Sequence, residues 1–181
     1  MNNLIGFNRF LNESKDSVVI SNITPDIEEE CLDVLYNVFG FLEKDKESMR
    51  LRVQPRLSNG LSVALSMGEK IIGCYLLNEK SAQIFIDEIH EGKIGDFPPD
   101  ETKIYFSGNI PGKGIQGIAL AIDPEYRDMG FGKMLKGWAK NLGYDYIWGV
   151  SDKNLENIDQ WRKERQILAE SPTRWATIEI F

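Results

Sequence analysis

One segment of the chain combines residue types that suit phosphate binding with the spacing expected at a helix start. It reads Arg127-Asp128-Met129-Gly130-Phe131-Gly132 and follows a hydrophobic stretch that ends at Asp123-Pro124. The first backbone N–H groups of a helix have no partners within the helix, and the helix dipole favours negative charge there. The two glycines would let an anion approach the backbone closely. The segment is therefore suited to holding a diphosphate, although two glycines could also simply start a helix after a turn.

Other nucleotide and metal chemistries fit the sequence poorly. The motif Gly-x-x-x-x-Gly-Lys-Ser/Thr is absent from the sequence, and Gly-x-Gly-x-x-Gly would need glycine at Leu135. His90 is the one histidine in the sequence, and no ligand pattern surrounds it. Neither a histidine-rich metal site nor a Ser-His-Asp triad is therefore expected. We predict no metal site.

Hydrophobic periodicity indicates the elements that must position the loop. Residues 116–122 predict a strand that ends at the Asp123-Pro124 turn. From Phe131 to Leu142 the apolar residues fall at helical spacing, and Gly143 is expected to end this helix. Residues 144–150 predict another buried strand. The loop is thus placed between the end of a strand and the start of an amphipathic helix.

The first third of the chain predicts one strand, two helices and a hairpin. Residues 17–20 suit a short strand, and Thr24 is expected to cap a helix that begins at Pro25. A second helix is expected over about 42–51, and Pro55 should end it at the latest. Residues 61–77 then predict a hairpin with its turn at Gly68-Glu69.

The remaining segments complete a mixed class. We predict a pair of strand-like pieces with loops in residues 81–113, which contain Ile84-Phe85-Ile86. A helix is expected from about Asn154 with Leu168 on its apolar side, and residues 173–181 predict a closing strand. The fold class is therefore α/β or α+β with a mixed sheet.

Bulk composition narrows the classes of partner. A chain of 181 residues fits one domain, and its net charge of −7 argues against nucleic-acid binding while mildly favouring a cationic partner. The N-terminus lacks a secretory signal, and no stretch approaches the roughly 18 continuous apolar residues that a membrane span needs. Cys31 and Cys74 lie among apolar neighbours and suggest buried thiols. We expect a soluble, cytoplasmic protein that binds neither nucleic acid nor membrane.

The window from Leu120 to Leu135 resembles motif A of the GNAT acetyltransferases. In that family a hydrophobic strand ends in a proline turn, followed by Arg or Gln, two residues, and Gly-x-Gly or Gly-x-Ala. Residues 150–154 are similar to the end of the family's fifth strand. The resemblance implies one acyl-CoA N-acyltransferase domain over residues 1–181, with an insertion at about 81–113. It also implies a mixed, mostly antiparallel, splayed central sheet flanked by helices.

The resemblance further implies acetyl-CoA as the cosubstrate and a set of residues that bind it. Backbone groups at the end of the strand would pair with the pantetheine arm, and N–H groups of the loop would hold the diphosphate. An asparagine after the fifth strand would hydrogen-bond the cofactor. The cofactor-binding residues implied in this way are Leu120, Ala121, Ile122, Arg127, Asp128, Met129, Gly130, Phe131, Gly132, Lys133 and Asn154.

The implied reaction is direct attack of a primary amine on the thioester, with a carboxylate as base. Gln116 stands where many family members have glutamate, and Trp161 stands where many have a tyrosine acid. The catalytic residues therefore stay open. Weak candidates for the base are Glu88 and His90, and Asp87 and Glu69 are further acids that could contribute.

Three functions are compatible with these residues. The first is acetylation of a small cationic amine, and the second is acetylation of a protein N-terminus or lysine. The third is a module that binds CoA without turnover, which the residues at Gln116 and Trp161 motivate. The acidic residues within 81–113 would suit a cationic acceptor, but that segment could equally mediate a homodimer.

Overall fold

A computed structural model describes residues 17–106, 108–154 and 165–181. Over these residues it is a mixed α/β structure with four α-helices: α1 (Glu28–Phe39), α2 (Lys46–Leu57), α3 (Ala82–His90) and α4 (Phe131–Lys140). The strands are β1 (Val18–Asn22), β2 (Val63–Met67), β3 (Lys70–Asn78), β4 (Lys103–Ile104), β5 (Gly114–Ile122), β6 (Tyr146–Asp152), β7 (Gln166–Glu170) and β8 (Arg174–Ile180).

The eight strands form one unclosed, mostly antiparallel sheet in the order β1-β2-β3-β5-β6-β8-β7-β4. The parallel pair is β5 with β6, and its ladder covers Gly114–Gly117 against Tyr146–Gly149. A parallel pair needs a long crossover connection, which here contains α4. The predicted fold class, a mixed and mostly antiparallel sheet with helices, is confirmed.

The chain divides into two compact units. The first comprises residues 1–78 and 119–139, and the second comprises residues 79–118 and 140–181. In the first unit α1 buries Cys31, Leu32, Val34 and Leu35, while α2 buries Met49, Val53 and Leu57. Ion pairs from Glu29 to Lys46 and Arg50 join these two helices.

Two helix boundaries in the first unit differ from the sequence-based prediction. Thr24 does not cap α1, because the helix begins a turn later at Glu28 and the Thr24 side chain hydrogen-bonds Asp26 instead. Pro55 does not end α2, which continues to Leu57. Pro55 removes its own N–H bond and crowds the carbonyl four residues earlier, while burial of Leu57 stabilises the final residues of the helix.

In the second unit α3 packs on one face of the sheet. The Phe85 ring lies 4.7 Å from that of Trp148 and 5.2 Å from that of Phe97, measured between centroids. Trp148 Nε1 donates to the carbonyl of Lys80 at 2.7 Å, and the Ala82 N–H donates to the hydroxyl of Tyr146 at 3.1 Å. The start of α3 is thereby fixed to the side chains of β6.

The prediction of two strand-like pieces within residues 81–113 is wrong for most of that segment. Residues 82–90 form a helix whose cap is Ser81, which accepts the Gln83 N–H at 3.1 Å, and the strand content is limited to β4. The run Ile84-Phe85-Ile86 suits a strand locally. Burial of Ala82, Phe85, Ile86 and Ile89 instead follows helical spacing, and Ile84 is 49% exposed.

The C-terminal elements correct one prediction and confirm another. Leu168 lies in β7 and not on a helix, while the predicted helical residues 155–164 lie outside the described part of the chain. The closing strand is confirmed as β8, which pairs with both β6 and β7.

Alanine substitutions on α3 distinguish a helix from a strand. Ile86→Ala should lower the free energy of unfolding by about 2–4 kcal/mol, since it leaves a cavity in the core. Ile84→Ala should change it by less than about 0.5 kcal/mol, because this side chain faces solvent. Urea denaturation measures both values. In a strand the two isoleucines would share a face, so equal losses would contradict the helix.

Candidate functional site

A tight turn follows β5 and leads into the predicted loop. Residues Pro124–Tyr126 form one 3-10 turn, and the Asp123 side chain accepts the Glu125 N–H at 3.0 Å. The Tyr126 N–H donates to the Asp123 carbonyl at 2.9 Å. Aspartate and proline are suited to these positions, because the carboxylate caps the turn and the proline ring presets its first φ.

The chain then reverses direction through left-handed backbone. Asp128 has φ of 64° and Gly130 has φ of 88°. Among the described residues Asp128 is the one non-glycine residue with positive φ, and aspartate is among the residues that tolerate this region best. The reversal brings the chain from the extended Arg127 into α4.

The first N–H groups of α4 point outward from the N-terminal end of the helix. The Met134 N–H donates to the Gly130 carbonyl at 3.1 Å, so Gly130 is the residue from which the helical hydrogen bonds start. The preceding N–H groups of Gly132 and Lys133 therefore have no acceptor within the helix. The first turn of α4 carries no acidic residue, so an external anion would meet no carboxylate of the helix itself.

The two glycines serve different purposes. Gly130 supplies the left-handed conformation, which most side chains resist. Gly132 has no such requirement, and a Cβ built there would lie 3.6 Å from Leu120 Cδ2, an ordinary contact. The protein itself therefore has room for a small side chain at Gly132. What glycine adds at this position is unobstructed access to the backbone at the helix start.

Two exposed cations flank the reversal. Arg127 precedes it and Lys133 follows it, and within the described ranges neither forms an ion pair. Both are therefore available to an anion held by the backbone. The local arrangement of donors, cations and open backbone can bind a group with two or more phosphates.

The end of β5 is held by its neighbour β3. The Asp123 N–H donates to the Ile72 carbonyl at 2.9 Å. At Gly73 an added Cβ would lie 2.7 Å from Ile122 Cδ1 and 3.0 Å from the Ala121 carbonyl oxygen. Glycine on β3 thus allows this close approach without a shift of the Ile122 side chain or of the Ala121 backbone. The first unit accordingly contains both Leu120–Ile122 and the whole loop from Arg127 to Lys133.

Asn154 belongs to the second unit, two residues after β6. Its backbone N–H donates to Asp152 Oδ1 at 2.9 Å, and Asp152 Oδ2 lies 3.4 Å from a guanidinium nitrogen of Arg174. The carboxylate of Asp152 therefore fixes the turn that contains Asn154, and this carboxylate is itself paired with Arg174. Trp161 lies outside the described residues.

A second polar cluster adjoins this turn and was not predicted from the sequence. Glu170 accepts from Lys153 at 2.7 Å, from the Tyr105 hydroxyl at 2.7 Å and from Trp175 Nε1 at 3.0 Å. Hydrogen bonds from Lys153, then Trp175, then Tyr105 lower the pKa of the carboxyl to about 2. Its members come from four separate segments, so no local pattern could have indicated it.

The candidate bases are not assembled into a site within the part of the chain described. Glu88 forms an ion pair with Lys80, and Asp87 accepts from Gln83 Nε2 at 2.9 Å. His90 is exposed at the end of α3. Glu69 is exposed in the hairpin turn. Gln116 lies in β5 opposite Trp148. A catalytic role for Glu88 or His90 stays a prediction.

Residues 17–106, 108–154 and 165–181 carry neither a cluster of metal ligands nor a helix suited to a membrane. These residues contain no group of three His, Cys, Asp or Glu side chains that could hold a metal ion. None of their helices has the length and apolar character that crossing a bilayer requires.

Comparison with known proteins identifies the fold. No protein-family profile matches the chain, and no curated protein matches it by sequence. Solved structures do match. A GNAT-family acetyltransferase from Streptococcus agalactiae aligns with a TM-score of 0.62 and 13% identity, over 91% of this chain and 95% of that one. The chain has the GNAT fold.

Two further structures with this fold come from enzymes whose chemistry is described. The polyamine N-acetyltransferase of Drosophila melanogaster, which forms N-acetylagmatine, aligns at a TM-score of 0.60 and 10% identity over 91% of this chain and all 100% of its own. The PaiA N-acetyltransferase of Thermoplasma acidophilum was solved with coenzyme A. It aligns with a TM-score of 0.57 and 11% identity, over 91% of this chain and 99% of its own. At these identities the similarity establishes the GNAT fold alone.

The Glu170 cluster makes stability depend on pH. A carboxyl whose pKa is lowered by folding stabilises the protein above its ordinary pKa and loses this contribution as pH falls through the folded value. Glu170→Gln should therefore lower the free energy of unfolding by about 1–2 kcal/mol near pH 7. The difference from wild type should shrink between the ordinary pKa of 4.5 and about 2.

Urea denaturation at a series of pH values measures this difference. Glu69→Gln is the matched control, because Glu69 is exposed in a hairpin turn and should have little effect at any pH. A loss for Glu170→Gln that is independent of pH would contradict the proposed role of the carboxylate charge.

Proposed function

We propose that this protein is an acetyl-CoA-dependent N-acetyltransferase whose acceptor is a small cationic amine. The observation that carries the proposal is the loop from Arg127 to Lys133, where left-handed backbone, a glycine-lined helix start and two cations without an ion-pair partner among the described residues coincide. Its position directly after β5 agrees with the resemblance to motif A. The structural neighbours that act on amines favour the same reaction class.

The loop fits the diphosphate of coenzyme A. The N–H groups of Gly132 and Lys133 would donate to its oxygens, and Arg127 would pair with its charge. The helix start has room that a larger side chain at Gly132 would fill. The backbone of Leu120–Ile122, which lies beyond the part of β5 that pairs with β6, would pair with the pantetheine arm as a strand would. Asn154 is the residue proposed to hydrogen-bond the cofactor.

Acetyl-CoA supplies an electrophilic thioester, and the chain orients the amine that attacks it. An alkylammonium with a pKa of about 10.4 has no free electron pair, so the acceptor must lose its proton first. A backbone N–H near Leu120–Ile122 would stabilise negative charge that develops on the carbonyl oxygen. The ammonium proton passes to water before attack, the nitrogen–acyl bond forms as the carbon–sulfur bond breaks, and the second proton that the nitrogen loses ends on the leaving thiolate. The leaving thiolate has a pKa of about 8.5 and needs no strong acid.

The nature of the acceptor can be tested directly. The net charge of −7 favours approach of cations, so polyamines and related small amines should release CoA thiol faster than neutral amino acids or peptides. A panel of amines scored by thiol release measures this order. Activity restricted to peptides would support the alternative of protein N-terminal or lysine acetylation.

Absence of thiol release with every amine, together with intact CoA binding, would support the third alternative, a module without turnover. Gln116 motivates this alternative, since an amide cannot accept the proton of the amine. Glu88 motivates it as well, because its carboxylate is already paired with Lys80.

Substitution of Gly132 tests the loop without disturbing the turn. Gly132→Val should weaken CoA binding by at least about tenfold, about 1.4 kcal/mol, because the branched side chain would occupy the space against the backbone. Titration calorimetry with CoA measures the affinity. Gly130 is less suitable for this experiment, because its φ of 88° would strain any other residue and so affect folding.

Gly137→Val is the matched control for this experiment. It makes the same change in the same helix, at a glycine where an added Cβ meets nothing within 4 Å. It should therefore reproduce any loss of helix stability and leave CoA affinity unchanged. Equal affinities for the two valine variants would count against the loop as the coenzyme site.

A further inference from the structure

Lys70 makes three contacts with the turn that precedes the loop. Its ammonium nitrogen lies 3.3 Å from Glu125 Oε2 and 3.4 Å from Asp123 Oδ2. The same nitrogen lies 4.8 Å from the centroid of the Tyr126 ring, within the range of a cation–π interaction. One side chain at the start of β3 therefore reaches all the non-proline residues between the end of β5 and Arg127.

These contacts add to a backbone attachment at the same place. The Asp123 N–H already donates to Ile72, two residues after Lys70 on β3. Asp123 in turn caps the 3-10 turn through Glu125. The path from β3 to the loop is thus short: Lys70 holds the turn, and the turn leads directly into the reversal at Asp128 and Gly130.

Lys70 also changes the electrostatics next to the loop. Asp123 and Glu125 lie eight and six residues before Phe131, the first residue of α4, and both would repel an incoming phosphate. The Asp123 side chain is only 15% exposed, so solvent screens it little. The ammonium of Lys70 offsets charge on both carboxylates while Arg127 stays available for the ligand.

We propose that Lys70 is a positioning residue for coenzyme binding, acting through Asp123, Glu125 and Tyr126 on the diphosphate loop. This rests on the proposed function of the loop and extends it to a residue on another strand. Exposed ion pairs contribute little to global stability, and the Lys70 side chain is 51% exposed. Loss of Lys70 should therefore affect the binding of phosphates more than folding.

The experiment compares three variants of the full chain with wild type. Lys70→Met removes the charge and retains the aliphatic stem, while Lys70→Arg retains a cation that can reach the same groups. Lys113→Met is the matched control: Lys113 pairs with Glu79 at 3.1 Å and lies 4.6 Å from the Tyr144 centroid, but it belongs to the second unit. Calorimetry with CoA gives the dissociation constant, and thermal unfolding gives Tm.

Lys70→Met should weaken CoA binding by about fivefold to tenfold, and Lys70→Arg should stay within about twofold of wild type. Lys113→Met should bind CoA as wild type does. Where turnover is measured, the KM for acetyl-CoA should rise while kcat and the KM of the amine stay unchanged, as expected when a binding interaction alone is lost.

Unchanged CoA affinity in Lys70→Met would overturn the inference and leave the proposed function intact. Equal losses in the Lys70→Met and Lys113→Met variants, or no recovery with arginine, would also overturn it, because the effect would then be general to removing an exposed lysine or unrelated to charge. Failure of the wild-type protein to bind CoA is the distinct result that rejects the proposed function, and with it the role assigned to Lys70.

Discussion

The candidate site depends on the reversal of the backbone between Arg127 and α4. Left-handed conformations at Asp128 and Gly130 turn the chain into α4. The first N–H groups of α4 then point outward from the N-terminal end of the helix. The backbone alone favours an anion at this position, because the helix dipole and the unsatisfied N–H donors both attract negative charge. The rest of the first unit holds this reversal in place: β3 fixes the end of β5 through Ile72 and Gly73.

The second unit is organised around side chains that meet from distant parts of the chain. Phe85 of α3 packs on Trp148, and Glu170 gathers donors from Tyr105, Lys153 and Trp175. The carboxylate of Glu170 therefore joins three donor side chains from separate segments. Its pKa is low because these hydrogen bonds stabilise the charged form. A group in this state is a poor general base, since it holds a proton only under strongly acidic conditions.

The sequence predicts features that depend on neighbouring residues and misses those that depend on distant ones. The loop, the hairpin at Gly68 and the strand β8 are each specified by consecutive residues, and the structure contains all three elements. The helix α3 was missed because Ile84, Phe85 and Ile86 favour a strand locally, while burial against Trp148 favours a helix. The contacts of Lys70 join residues 70 and 125, which no periodicity relates.

The same distinction explains why structure comparison matches the fold over most of the chain, whereas the sequence indicates it through short motifs alone. A cradle of backbone N–H groups constrains a few residues, chiefly the glycines and the residue with positive φ, and leaves most side chains free to vary. The GNAT fold is accordingly shared with proteins of 10–13% identity. Acceptor binding and proton transfer depend on side chains, which vary among proteins that share the backbone. A coenzyme site at the loop is accordingly a proposal that rests on backbone geometry, whereas the catalytic groups have to be identified from side chains of this protein such as Gln116 and Glu88.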